Sequence, residues 1–231
     1  MSIGENIKRI EEKKCKAAVR SDRNPDDILL MAVTKLHNVN EINEAIEAGV
    51  TDIGENKVQE LLDKYDYVKP VKWHLIGHLQ TNKVKNIIDK VVMIHSVDSE
   101  HLAKEIDKRA IQNGLVIDIL IQINSAMEDT KFGIESDNVE ILIKEISEKY
   151  SNIRIRGIMC IPPFFENPEL SRKYFKETKN IFEHLKTVNF NSNVSMDFLS
   201  MGMSNDYEVA IEEGSNIIRV GSSIFGLRDY R

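Results

Sequence analysis

Cysteine is almost missing: Cys15 and Cys160 are the only two thiols in 231 residues. Their separation offers neither a disulfide framework nor a paired-cysteine metal site, and a reducing, cytoplasmic setting is expected. Proline and glycine are sparse, at 5 and 11 residues, which argues against long low-complexity or disordered stretches. No apolar run approaches the length of a membrane span, and the basic first twenty residues lack the apolar core of a signal peptide. A basic surplus is lacking too. With 31 Lys+Arg against 37 Asp+Glu the net charge is −6, which argues against nucleic acid as the main partner, since phosphate neutralisation supplies much of that affinity. The glycine-rich phosphate loops G-x-G-x-x-G and G-x-x-x-x-G-K-[ST] do not occur, which disfavours a doubly wound nucleotide-binding sheet.

What is present is alternation. Eight short β-branched runs begin at Ile28, Asp52, Val71, Val91, Leu115, Ile153, Met196 and Ile217. Between them apolar residues recur at helical offsets: Ile42, Ala45 and Ile46; Val58, Leu61, Leu62 and Tyr65; Val84, Ile87 and Ile88; Val139, Leu142, Ile143 and Ile146; Tyr207, Ala210 and Ile211. The stretches 101–112 and 169–187 are also helical in pattern. Continuous apolar strands separated by helices imply parallel strands covered on both faces, and eight such units predict a (β/α)8 TIM barrel spanning 1–231 as a single domain. Ahead of it, Ser2 and Glu5 form a capping box before Ile3, Ile7 and Ile10, predicting an extra N-terminal helix.

The chemistry of such a barrel lies at the C-terminal ends of its strands. Those positions are polar here: Thr34 and Lys35, Glu55 and Asn56, His74 and Gly77, His95 and Ser96, Gln122 and Asn124, Ser200 to Ser204, and Arg219 with Gly221 and Ser222. Lys35 follows MAVT at the end of the first strand, where desolvation disfavours an ammonium and leaves a neutral amine able to attack a carbonyl. A lysine reaching out to solvent is the competing reading. After strands seven and eight, SMGMSND and RVGSS pair Gly202 and Gly221 with the hydroxyls of Ser204 and Ser222, at the two places where barrels commonly hold phosphate. Arg219 would face a ligand from strand eight as a donor-only cation, or form a structural ion pair. His37, His74, His78 and His95 do not have the spacing of a metal site, and packing or hydrogen-bonding roles are expected of them. Lys131, after strand five, could offer a second amine at the same mouth.

The stretches AVTK, DIGENKVQE, WHLIGHLQTNK, HSVDS, ILIQIN with TKFG, RGIMCIPP, LSMGMSNDYEVAIEEGS and RVGSSIFG together resemble the pyridoxal-phosphate homeostasis proteins over nearly the whole chain. The resemblance implies a barrel like the N-terminal domain of alanine racemases, carrying pyridoxal 5′-phosphate (PLP) as a Schiff base on Lys35. By the same resemblance, Ser204, Gly221 and Ser222 meet the phosphate, Arg219 the pyridine nitrogen, and Asn56 lies beside the cofactor. It further implies a role in PLP homeostasis and amino-acid and keto-acid balance. Efficient catalysis is not expected. An arginine at the ring nitrogen weakens the cofactor as an electron sink, and only Leu227 to Arg231 follow Gly226, so no racemase-type second domain is expected. The rivals are a PLP-dependent racemase or lyase and a Schiff-base aldolase for sugar phosphates. The expected partners are PLP and, transiently, PLP-dependent apo-enzymes, with no nucleic acid or membrane; a monomer is expected, because no helix or strand pattern marks an oligomer face.

Overall fold

The structure is a computed structural model and describes residues 2–125 and 132–226. Its strands are β1 (Leu29–Val33), β2 (Asp52–Glu55), β3 (Lys72–Leu75), β4 (Met93–Val97), β5 (Ile117–Ile123), β6 (Ile153–Cys160), β7 (Val194–Ser200) and β8 (Ile217–Val220). They pair in sequence order, all parallel, and β8 returns to β1 to close the barrel. Every run read from the sequence becomes a strand. Closure explains the continuous apolar runs, because one face of each strand fills the interior while the other meets the helices.

The helices are α1 (Ile3–Arg20), α2 (Val39–Glu47), α3 (Val58–Tyr65), α4 (Glu100–Asn113), α5 (Val139–Lys149), α6 (Arg172–Thr187), α7 (Tyr207–Glu212) and α8 (Ser222–Phe225). The expected capping box starts α1: Ser2 Oγ accepts from the Glu5 N–H at 3.2 Å, and Glu5 Oε2 accepts from the Ser2 N–H at 2.8 Å. This helix buries Ile7, Ile10, Ala17 and Ala18 in the outer core, while Lys13 and Arg20 pair with Glu208 and Glu212 of α7. Between β3 and β4 the pattern at Val84, Ile87 and Ile88 predicts an α-helix, yet Thr81–Asn86 is a 3₁₀ helix. Its N-cap Gln80 makes no side-chain cap bond, so nothing local favours a longer α-helix, and Val84 within it and Ile87 and Ile88 just after it are still buried.

Two small apolar groups lie inside the strand ring: Met31, Val33, Ile76 and Ile217, and Met93, Leu120 and Met159. Polar side chains share that interior. Asp52, His74, His95, Ser200 and Arg219 are all buried, where each needs a partner to offset its desolvation. Among the described residues no helix is long and apolar enough to cross a membrane.

Candidate functional site

Lys35 does not close β1 itself. The strand ends at Val33, and Lys35 is half-buried in the turn that follows. In that turn the His37 N–H donates to Thr34 O at 3.1 Å, and Leu36 takes a left-handed φ of 65°. A buried clamp holds the turn from below. Glu55 Oε1 accepts from Thr34 Oγ1 and from Lys64 Nζ, both at 2.8 Å. Lys64, reaching back from the last turn of α3, also donates to Thr34 O at 2.9 Å and to Glu60 Oε2 at 3.3 Å. Glu60 Oε2 in turn accepts from the Leu36 N–H at 2.7 Å. Burial pushes the Glu55 carboxyl above its ordinary range, against the bonds and charge of Lys64 and the bond from Thr34, and its Oε2 has no hydrogen-bond partner among the described residues.

On the far side of the mouth, Ser204 Oγ accepts from the backbone N–H groups of Gly221 at 3.1 Å and Ser223 at 3.3 Å, and Ser223 Oγ donates back to Ser204 O at 3.2 Å. Two N–H groups at the start of α8 therefore converge on one oxygen, and Ser222 lies between them. Sequence reasoning missed Ser223; the doubled serine of RVGSS was its only signal. Gly202 needs to be glycine for a reason other than ligand approach: its φ is +93°, and a Cβ there would stand 2.5 Å from the Ala210 Cβ of α7. Gly77 permits a second close approach, because a Cβ on it would stand 2.3 Å from Asn56 O.

Arg219 is buried in β8 and makes no ion pair with the described residues. Its Nη1 donates to Ser200 Oγ at 2.6 Å and its Nη2 to Cys160 O at 2.8 Å. Burial lowers its pKa from the usual guanidinium value, opposed by Cys160 and Asp206. Burial also raises the Asp206 carboxyl, against the Met203 N–H and the Arg219 charge. His74 and His95 lie beneath the mouth and not in it, with His74 Nδ1 and His95 Nε2 3.0 Å apart. His37 stacks on Phe225 at 4.2 Å, and His78 on Phe132 at 3.8 Å. Among the described residues no cluster of three or more His, Cys, Asp or Glu could hold a metal ion.

Lys35, Asn56, Ser204, Arg219, Gly221 and Ser222, drawn from the ends of β1, β2, β7 and β8, all line one cavity of ≈ 560 Å³. That is within the range of small-molecule sites. The sequence reading missed its other walls, among them Ile76, His78, Phe132, Phe164 and Asp206; aromatic and apolar residues in loops carry no signal until the loops converge. Lys131 lies outside the described residues.

The chain matches the family described as the alanine racemase N-terminal domain over residues 15–229. It is 43% identical to the pyridoxal phosphate homeostasis protein of Aquifex aeolicus over 232 residues, covering 100% of both chains. Among solved structures it is similar to an unknown protein from Bifidobacterium adolescentis, with a TM-score of 0.89, 30% identity and coverage of 96% and 94% of the two chains. It is also similar to PipY of Synechococcus elongatus, solved with PLP bound, at a TM-score of 0.81 and 30% identity, covering 97% of this chain and 100% of PipY. The chain belongs to the pyridoxal phosphate homeostasis protein family.

Proposed function

We propose that this protein binds PLP at the barrel mouth, holds it covalently on Lys35, and serves PLP homeostasis in the cytoplasm as a reversible holder of the cofactor. One observation carries the reading: a half-buried lysine, a buried donor-only arginine and the turn of Ser204, Gly221 and Ser222 line the same cavity. These residues fit the chemistry of a phosphorylated aromatic aldehyde. Lys35 Nζ condenses with the aldehyde and releases water. Ser204 and Ser222 on the cavity wall have hydroxyl donors suited to phosphate oxygens, with Ser204 Oγ itself held by the N–H groups of Gly221 and Ser223. Arg219 supplies a hydrogen bond to the ring nitrogen, and Asn56 borders the ring.

When bound, PLP supplies an electron sink for carbanions. Arg219 limits that use, because a guanidinium donates a hydrogen bond without delivering its proton. Holding and releasing the cofactor is therefore favoured over turnover, with effects on amino-acid and keto-acid balance following from the free PLP pool and from transient transfer to PLP-dependent apo-enzymes. A PLP-dependent racemase or lyase is the second reading, favoured by His78 and Asp206, two titratable groups on the cavity wall.

Titration of the protein with PLP, followed by absorbance and then by challenge with a panel of amino acids, tests both. The holder reading expects a saturable visible band that ordinary amino acids do not turn over. Multiple turnover of any amino acid at enzyme-like rates would replace it with the second reading. No visible band would remove both.

A further inference from the structure

Beneath the cavity runs a hydrogen-bonded line that the holding of PLP on Lys35 does not itself require. From the bottom of β2 upward it reads Asp52 Oδ1 to His74 Nε2 at 2.9 Å, His74 Nδ1 to His95 Nε2 at 3.0 Å, His95 Nδ1 to Ser200 Oγ at 3.2 Å, and Ser200 Oγ to Arg219 Nη1 at 2.6 Å. The five side chains come from β2, β3, β4, β7 and β8, and all are buried. A barrel interior is ordinarily filled by branched apolar side chains. Spending five polar ones there is costly unless each is satisfied by the next.

The chemistry of the upper end gives this line a direction. A guanidinium has only donors, so Ser200 Oγ must accept from Arg219. The Ser200 hydroxyl is fully buried, and the acceptor available to its proton on this line is His95 Nδ1. His95 then carries its proton on Nε2 and donates to His74 Nδ1, and His74 donates through Nε2 to the Asp52 carboxylate. Each link donates in the same sense, from the cation at the cavity to the anion at the barrel floor. Burial, with the nearby His74 and the Arg219 charge, holds the His95 ring well below the ordinary imidazole range. A neutral His95 fits this order. Burial tends to raise the Asp52 carboxyl, but the bonds from His74 and Thr51 and the charge of Lys72 bring it below its ordinary value. Thr51 Oγ1 donates to Asp52 Oδ2 at 2.7 Å, so both carboxylate oxygens are engaged.

We propose that Asp52, His74, His95 and Ser200 are positioning residues, a one-way hydrogen-bond line that pins Arg219 as a fixed donor under the cofactor and so keeps the ring nitrogen unprotonated. Reversal of the line would give Ser200 two donors, leave its own proton without a partner, and loosen the guanidinium. The inference rests on the PLP reading for its purpose, while the direction of the line is a property of the protein alone.

The test has two parts. In cofactor-free protein with ¹⁵N-labelled histidine, NMR assigns the tautomers: His74 and His95 are both expected as Nε2–H, and a proton on Nδ1 of either ring overturns the proposal whether or not PLP binds. With ¹⁵N-labelled PLP bound, the ring nitrogen is expected to be hydrogen-bonded but unprotonated. Ser200→Ala is expected to weaken PLP retention about tenfold, the scale of one lost hydrogen bond to a charged group, and to shift the nitrogen resonance. Ser200→Thr, which keeps the hydroxyl, is expected to restore both. Retention and resonance unchanged in Ser200→Ala would refute the positioning role. Should Ser200→Ala fail to fold, the wild-type tautomers still decide the direction.

Discussion

Replacing Lys64 with methionine tests the clamp under Lys35 more sharply than any change at the mouth. Glu55 is completely buried and Lys64 nearly so, with side-chain exposures of 0% and 11%. The substitution leaves the carboxylate with the Thr34 hydroxyl alone. Breaking a buried pair from one side costs ~3–5 kcal/mol, because the remaining charge keeps its desolvation penalty; the slight exposure of Lys64 places the expectation near the lower end. The pH dependence has a definite sign. The Glu55 carboxyl is already raised in the folded state, so the native protein binds the proton more readily than the unfolded chain, and stability falls as pH rises from the unfolded pKa through the folded one. Removing the Lys64 ammonium raises the folded pKa further, which widens that window. Urea unfolding of Lys64→Met is therefore expected to show a loss of about 3 kcal/mol at neutral pH that shrinks on acidification. In the Glu55→Gln background most of the loss should vanish, since no charge is left unpaired. A loss below about 1 kcal/mol, equal at both pH values and equal in the two backgrounds, would refute the reasoning.

Gly77→Ala drives a methyl group into Asn56 O and is expected to cost about 1–3 kcal/mol by denaturation and to weaken cofactor binding by displacing Asn56. Lys35→Ala should leave thermal unfolding near that of the wild type, because the side chain is half-buried in a surface turn, while the visible PLP band disappears; an unchanged band would move the covalent bond to another lysine. Cys160 is buried, with its thiol pushed up to about 11 by desolvation, whereas Cys15 is exposed. Native protein is therefore expected to take up one equivalent of a thiol reagent at Cys15, with Cys160 reacting only on unfolding; mass mapping of the labelled peptides checks this.

The barrel was legible in the sequence because each of its parts is local. A β-branched run such as Ile117–Ile123 and an amphipathic pattern such as Val139–Ile146 declare themselves within one window, and eight such pairs have few ways to close. The mouth was legible for a related reason: strand ends are local, and Lys35, Asn56, Arg219 and Gly221 sit at or just beyond them. What failed needed distance. Lys64 shows only as a helical lysine until α3 folds back over the β1 turn, and the hydrogen-bonding roles expected of His74 and His95 gain their partners, Asp52 and Ser200, only when β2, β3, β4 and β7 are brought together. At Val84–Ile88 the periodicity reported burial correctly, but it did not show that the helical turn is 3₁₀ and ends at Asn86, before Ile87 and Ile88.

The central claim is that Lys35 carries PLP. The most direct measurement is borohydride reduction of the PLP-loaded protein followed by peptide mass mapping: the account predicts loss of the visible band and a stable pyridoxyl-phosphate mass on the peptide containing Lys35, while a band that resists reduction, or the added mass on a different lysine, would contradict it.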